Sequence, residues 1–161
     1  MRIRDATPAD AEAICRIYNP YIRKTIITFE EAEVGVQEMA ARVSAVSRTL
    51  PWLVAEREGG ALGYAYAGKW RERTAYRQSV ESTVYVEESE TGRGVGTHLY
   101  RALLERLRAL PVHTALGGIA LPNAASVALH EACGFRKVAH FEQAGFKFGG
   151  WIDVGYWQIV F

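Results

Sequence analysis

The sequence is poor in cysteine, balanced in charge and free of long apolar runs, and each shortage removes a class of function. Only Cys15 and Cys133 occur in 161 residues. Both sit among apolar neighbours, so two reduced, buried thiols are expected, and neither a disulfide framework nor a cysteine metal site. A formal net charge of +1 gives no electrostatic footprint for nucleic acid or a membrane surface. No apolar run approaches the roughly 18 residues that suggest a membrane span. Met1-Arg2-Ile3-Arg4-Asp5 leads into a capped helix pattern and not into an apolar signal core, so a reducing cytoplasm is the expected location. The 4 histidines, His98, His113, His130 and His140, lack metal-ligand spacing, and no metal is expected. Repeats, linkers and low-complexity tracts are missing as well. With 49% hydrophobic and 23% charged residues, residues 1–161 suit one soluble domain with a sizeable core.

What is present is a regular alternation of elements. Ile3 to Ala6 reads as a short strand, and Thr7-Pro8-Ala9-Asp10 offers an N-cap, a proline at N1 and an acid at N3. Ala11, Ile14, Cys15 and Tyr18 then share one helical face, until Asn19-Pro20 ends or kinks the helix. Thr25 to Phe29 is expected to run extended, and Val36, Met39, Ala40 and Val43 mark a second helix. Trp52 to Glu56 and Ala61 to Gly68 form a hairpin across Glu58-Gly59-Gly60. Past a charged link come a strand (Val80 to Val86), a helix, a strand (Thr114 to Leu121), a helix (Asn123 to Cys133, closed by Gly134) and two final strands. That order predicts an α/β fold with one central mixed sheet and helices, about four, on both faces.

The most informative segment is Gly92-Arg93-Gly94-Val95-Gly96-Thr97. It joins the strand ending at Val86 to a helix marked by Val95, Leu99, Ala102, Leu103 and Leu107. At such a junction the first helical N–H groups lack partners and the helix dipole is positive, so the chain can wrap a phosphate with its backbone. Its three glycines permit close approach and positive φ. A P-loop would need Lys-Ser/Thr after the last glycine, where this chain has Thr97-His98. A dinucleotide fingerprint would need glycine where Thr97 stands. Both nucleoside triphosphates and nicotinamide dinucleotides are therefore disfavoured, and a pyrophosphate cradle of another kind is expected.

Three further groups carry chemistry. Asn123, Ser126 and His130 share one face of their helix; Asn123 is read as an N-cap or a ligand contact, and His130 as an ordinary histidine or a site residue. Glu81 lies near the start of the strand that enters the glycine turn. It is either a solvated carboxylate or, if half-buried, a general base with a raised pKa. The run Lys69 to Arg77 is either a solvated loop or an anion clamp built from guanidinium and phenol groups.

Val84-Tyr85-Val86, the glycine turn, Asn123-Ala124-Ala125-Ser126 and His130-Glu131-Ala132-Cys133-Gly134-Phe135 together resemble the acetyl-CoA core of the GNAT N-acetyltransferases. Within them the chain is most similar to the phosphinothricin and methionine sulfoximine acetyltransferases. Tyr18-Asn19, Thr28-Phe29, Pro51 to Glu56, Gly63 to Ala67, Glu81 to Val86, Leu121-Pro122-Asn123 and Gly145 to Val154 carry that closer likeness, which covers nearly the whole chain.

The resemblance implies the GNAT acyl-CoA N-acyltransferase fold and acetyl-CoA as co-substrate. Its diphosphate would lie on Gly92, Arg93, Gly94, Val95, Gly96 and Thr97, its pantetheine beside Val84, Tyr85 and Val86, with Asn123 and Ser126 on the cofactor arm. It implies Glu81 as general base, Arg73 and Tyr76 as contacts to an acceptor carboxylate, and Phe29 as an apolar pocket wall. His130 stands where many relatives place a tyrosine near the departing sulfur, which makes it a candidate proton donor. A backbone N–H at the strand end, that of Val86, is the expected oxyanion donor. Two positions depart from the pattern: Thr91 replaces a Gln or Arg, and Phe148 stands where herbicide-detoxifying members carry histidine, as in members acting on methionine sulfoximine and sulfone. The expected activity is acetylation of the α-amino group of a small amino-acid-like acceptor in a detoxification or resistance role, by a homodimer. A protein-acetylating GNAT enzyme and a non-catalytic acyl-CoA sensor are the competing readings.

Overall fold

The computed structural model describes Met1–Phe161. Along it run β1 (Arg2–Asp5), α1 (Ala11–Lys24), α2 (Val36–Val46), β2 (Trp52–Arg57), β3 (Gly60–Lys69), β4 (Ser79–Val86), α3 (Val95–Arg108), β5 (Thr114–Ala120), α4 (Ala124–Ala132), β6 (Arg136–Lys147) and β7 (Gly150–Val160). The strands form one 7-stranded sheet in the order β1-β2-β3-β4-β5-β7-β6. Only β4 and β5 pair in parallel; every other neighbouring pair is antiparallel. The expected mixed sheet is present.

Strand alternation sends two sets of side chains to opposite faces, and each face buries its own core. On one face, Leu53, Ala55, Val80, Ala115 and Ile119 meet Val95, Leu99, Leu103 and Leu107 of α3. On the other, Trp52, Val54 and Tyr64 meet Ile14, Ile17, Tyr18 and Ile22 of α1 and Met39 and Val43 of α2. The spacing of four between Val95, Leu99, Leu103 and Leu107 turns one stripe of α3 to the sheet.

Local chemistry at the start of α1 follows the sequence. Asp10 accepts the Thr7 N–H at 2.8 Å, and the Arg4 guanidinium holds the same carboxylate at 2.8 and 2.9 Å. Two expectations nearby are decided by the structure. α1 does not end at Asn19-Pro20 but continues to Lys24 with Pro20 inside it. Proline removes one intrahelical donor, that to the Arg16 carbonyl; Arg16 and Pro20 both border an open cleft, while Ile17, Tyr18 and Ile22 keep the opposite side packed. Thr25 to Phe29 forms no strand but an irregular loop. Side chains hold that loop in place of a ladder. The Tyr18 hydroxyl meets Thr28 Oγ1 at 2.7 Å, and Asn19 bonds both backbone groups of Val34 at 2.9 and 3.0 Å.

Candidate active site

The sheet splits where the site lies. β4 and β5 pair only over Ser79↔Thr114, Val80↔Ala115 and Glu81↔Leu116, although β4 runs on to Val86 and β5 to Ala120. Glu87 N–H donates to Leu62 O at 2.8 Å on the β3 side, so alternation turns the amides of Val84 and Val86, beyond the last β5 pairing, the other way, toward the opening. A strand edge that would be satisfied by β5 in a continuous sheet is left available. The resulting passage is lined by Glu81, Ser82, Thr83, Val84, Gly118 and His130, among others. It connects the two faces of the molecule.

On the α1 face the passage meets a cavity of about 350 Å³ walled by Ile27, Phe29, Arg71, Glu81, Phe141 and Tyr156, with Gly118, Ala120, Ala144 and Val154 completing it. Glu81 is half-buried. Burial pushes its carboxyl pKa up from the ordinary value of 4.5, and the Arg71 guanidinium partly opposes that shift. An acid whose charged form is disfavoured, beside an open space, has the character of a general base. Phe29 lines the cavity. Arg73, Tyr76 and Phe148 do not: the first two lie on an exposed single turn between β3 and β4, and Phe148 sits 62% exposed in the turn between β6 and β7 with φ +52. The guanidinium that faces Glu81 is that of Arg71. A charged loop without periodicity gives no means of choosing Arg71 over Arg73 from sequence.

On the α3 face, Gly92 and Gly94 both take left-handed φ, +74 and +83, and α3 begins at Val95. None of the backbone N–H groups from Gly92 to Thr97 donates to another protein group; the first to do so is that of His98, to Gly94 O at 3.1 Å. A run of free donors at a helix N-terminus is an anion cradle. Such a cradle acts through the backbone and requires no side chain from Thr91. Val84 and Val86 present backbone to the opening. Tyr85 does not, since its amide faces β3 and its ring packs 4.9 Å from Tyr18 and 5.1 Å from Tyr21. The Val86 carbonyl accepts a hydrogen bond from Tyr21.

Asn123 is the N-cap of α4, accepting the Ser126 N–H at 3.1 Å, and it lines the passage with Ser126 and His130. The two readings of Asn123 are therefore compatible. His130 is buried, and burial lowers its pKa, with the Ser126 carbonyl opposing. Its Nδ1 lies 2.7 Å from Ser126 O. A carbonyl only accepts, so Nδ1 carries the hydrogen and Nε2 accepts from Tyr100 Oη at 2.8 Å. Tyr100 in turn meets Ser82 Oγ at 2.7 Å. Held this way, both ring nitrogens of His130 are engaged within the protein, Nδ1–H by Ser126 O and Nε2 by Tyr100 Oη. Sequence reasoning missed Tyr100 because it reads as one more apolar position of α3.

The sequence profile of the acetyltransferase (GNAT) domain matches residues 3–155. A phosphinothricin N-acetyltransferase of Streptomyces viridochromogenes is 43% identical over 158 residues, 98% of this chain and 86% of that protein. An L-methionine sulfoximine/L-methionine sulfone acetyltransferase of Pseudomonas paraeruginosa is 39% identical, over 98% of this chain and 92% of that one. Among solved structures, a phosphinothricin acetyltransferase from Sinorhizobium meliloti in complex with acetyl-CoA superposes with a TM-score of 0.95 at 35% identity, covering 99% of this chain and 87% of that one. A ribosomal-protein-alanine N-acetyltransferase from Brucella melitensis superposes at 0.97 with 38% identity, both chains covered in full.

Proposed function

The chain belongs to the GNAT acetyltransferase family, and from that premise we propose that it moves the acetyl group of acetyl-CoA to the α-amino group of a small amino-acid-like acceptor. The acceptor class is that of methionine sulfoximine, methionine sulfone and phosphinothricin. One observation carries the reading: a half-buried carboxylate lines a passage through the sheet, and the strand that bears it leads into a run of free backbone donors at a helix N-terminus. Acetyl-CoA supplies an activated acyl group, and this chain's residues do the rest. Gly92 to Thr97 hold the diphosphate, and the open edge of β4 holds the pantetheine amides. Arg71 binds the acceptor carboxylate as a charged fork. Glu81 takes a proton from the ammonium group, directly or through a water, so that the amine attacks the thioester carbonyl; the C–S bond then breaks, and CoA leaves as a thiolate that takes up the second proton shed by the nitrogen.

Both reactants then sit in one cleft, and attack becomes effectively unimolecular. The Val84 N–H is the donor for negative charge growing on the acyl oxygen, because Val84 lines the passage. Val86 lies beyond it, beside Tyr21. His130 accepts from Tyr100 and fixes the polar wall near the sulfur.

The cavity of about 350 Å³ favours a free amino acid over a polypeptide. The name of the Brucella neighbour keeps a protein amine as the second reading. Thiol release from acetyl-CoA, measured over methionine sulfone, methionine sulfoximine, phosphinothricin, polyamines and an alanine-ended peptide, separates the two. Turnover with the first three is the expected result; turnover of the peptide alone overturns the reading, and thiol release with none of these amines points to the sensor. A detoxification role in the cytoplasm and a homodimeric assembly complete the proposal.

A further inference from the structure

Lys147 is the only lysine or arginine among the buried residues. Its Nζ donates to Ile22 O at 2.9 Å, Thr25 O at 2.8 Å and Thr28 O at 2.8 Å. All three ammonium hydrogens go to carbonyls, and no carboxylate lies within ion-pair distance. The Ile22 carbonyl belongs to the last turn of α1, where carbonyls lack intrahelical donors and the dipole is negative. A side chain from the far end of the chain thus closes α1 and grips the loop that follows. The Phe148 ring covers the ammonium group at 5.0 Å.

Gly145 lies two positions earlier on the same buried face of β6. A Cβ there would sit 2.5 Å from Phe29 Cε2 and 3.1 Å from Cε1. The missing side chain is the socket for the Phe29 ring. Ile27 and Phe29, between and just beyond the gripped carbonyls, are walls of the cavity that also holds Glu81 and Arg71.

We propose that Lys147 is a positioning residue for acceptor recognition: it clamps Ile22 to Thr28 so that Phe29 seats on Gly145 and, with Ile27, shapes the acceptor wall. The inference rests on the proposed function only in taking that cavity as the acceptor's. Lysine suits the task because the segment offers carbonyls alone, and an ammonium group has three donors and no acceptor.

The test is steady-state kinetics with methionine sulfone as the acceptor, together with amide hydrogen exchange. Lys147→Met keeps the stem and deletes the donors. It is expected to raise the acceptor KM about tenfold or more, with kcat and the acetyl-CoA KM within about threefold, and to speed exchange over residues 22–29. Gly145→Ala removes no hydrogen bond, so it tests the same wall if Lys147→Met folds poorly. It should show the same split, and Phe29→Leu added to it should recover part of the loss. An acceptor KM unmoved in both variants, or an acetyl-CoA KM rising in step with it, overturns the proposal. If none of methionine sulfone, methionine sulfoximine and phosphinothricin is a substrate the proposed function fails, and the exchange experiment still judges the clamp: unchanged protection at 22–29 in Lys147→Met overturns it.

Discussion

Glu81 is held where its charge is disfavoured, and the same burial has opposite effects on rate and stability. As a base it works only when ionised, so kcat/KM should rise with pH through a pKa above 4.5. Glu81→Gln should lower kcat about 100-fold or more, abolish that limb and leave acetyl-CoA affinity unchanged; a retained limb would assign it to another group. For stability the sign reverses. Between 4.5 and the raised value the folded chain binds more protons than the unfolded one, so stability falls as pH rises through that window. Glu81→Gln should therefore melt above the wild type at pH 7, with the gap closing below pH 4.5, as scanning calorimetry would record. Glu81 is legible in the sequence because a strand fixes which way it points. Lys147 is not, because its partners are carbonyls 119 to 125 residues away, and carbonyls leave no signature in a sequence.

The junction of β4 with α3 shows which features of an element a sequence reveals. Gly94 is left-handed and would set a Cβ against the His98 ring at 3.6 Å, whereas Gly96 would meet Leu129 and Val86 at 3.5 Å with ordinary φ. Gly94→Ala should destabilise the fold by about 1 kcal/mol and weaken acetyl-CoA binding by tilting the free N–H groups. Gly96→Ala should leave thermal stability nearly unchanged. Equal melting shifts in the two variants would show that conformation is not what sets glycine at Gly94. Helices and strands with strong periodicity are readable to within a residue or two, as β4, α3 and β5 are. Thr25 to Phe29 is misread as extended because its β-branched residues suit a strand, whereas contacts from Tyr18 and Lys147 hold it as a loop.

At the scale of the whole molecule, the β6-β7 hairpin exposes Phe146 and Trp151, 54% and 65% accessible. Phe146 and Trp151 stand opposite each other with ring centroids 4.8 Å apart. Apolar rings grouped on a surface mark a contact site, and a second copy of the chain is the occupant expected here. Sedimentation velocity should find a dimer, and Trp151→Glu should give a monomer; a wild-type monomer would remove the patch from any account of assembly. The strand order itself is illegible in sequence, because nothing local tells that β7 enters between β5 and β6.

The short pairing of β4 with β5 leaves the two halves of the sheet joined by a three-residue seam and by α3. In the proposed function the pantetheine amides bond to the open edge of β4 at Val84 and Val86, so the donor would serve as an interrupted eighth strand along the seam. Binding then doubles as folding energy: at 100 times its dissociation constant, acetyl-CoA should add about 2.7 kcal/mol to global stability. Protection from exchange should concentrate at the Val84 and Val86 amides and spare the outer strands β1 and β6. A protein depleted of its donor is in this sense an unfinished sheet.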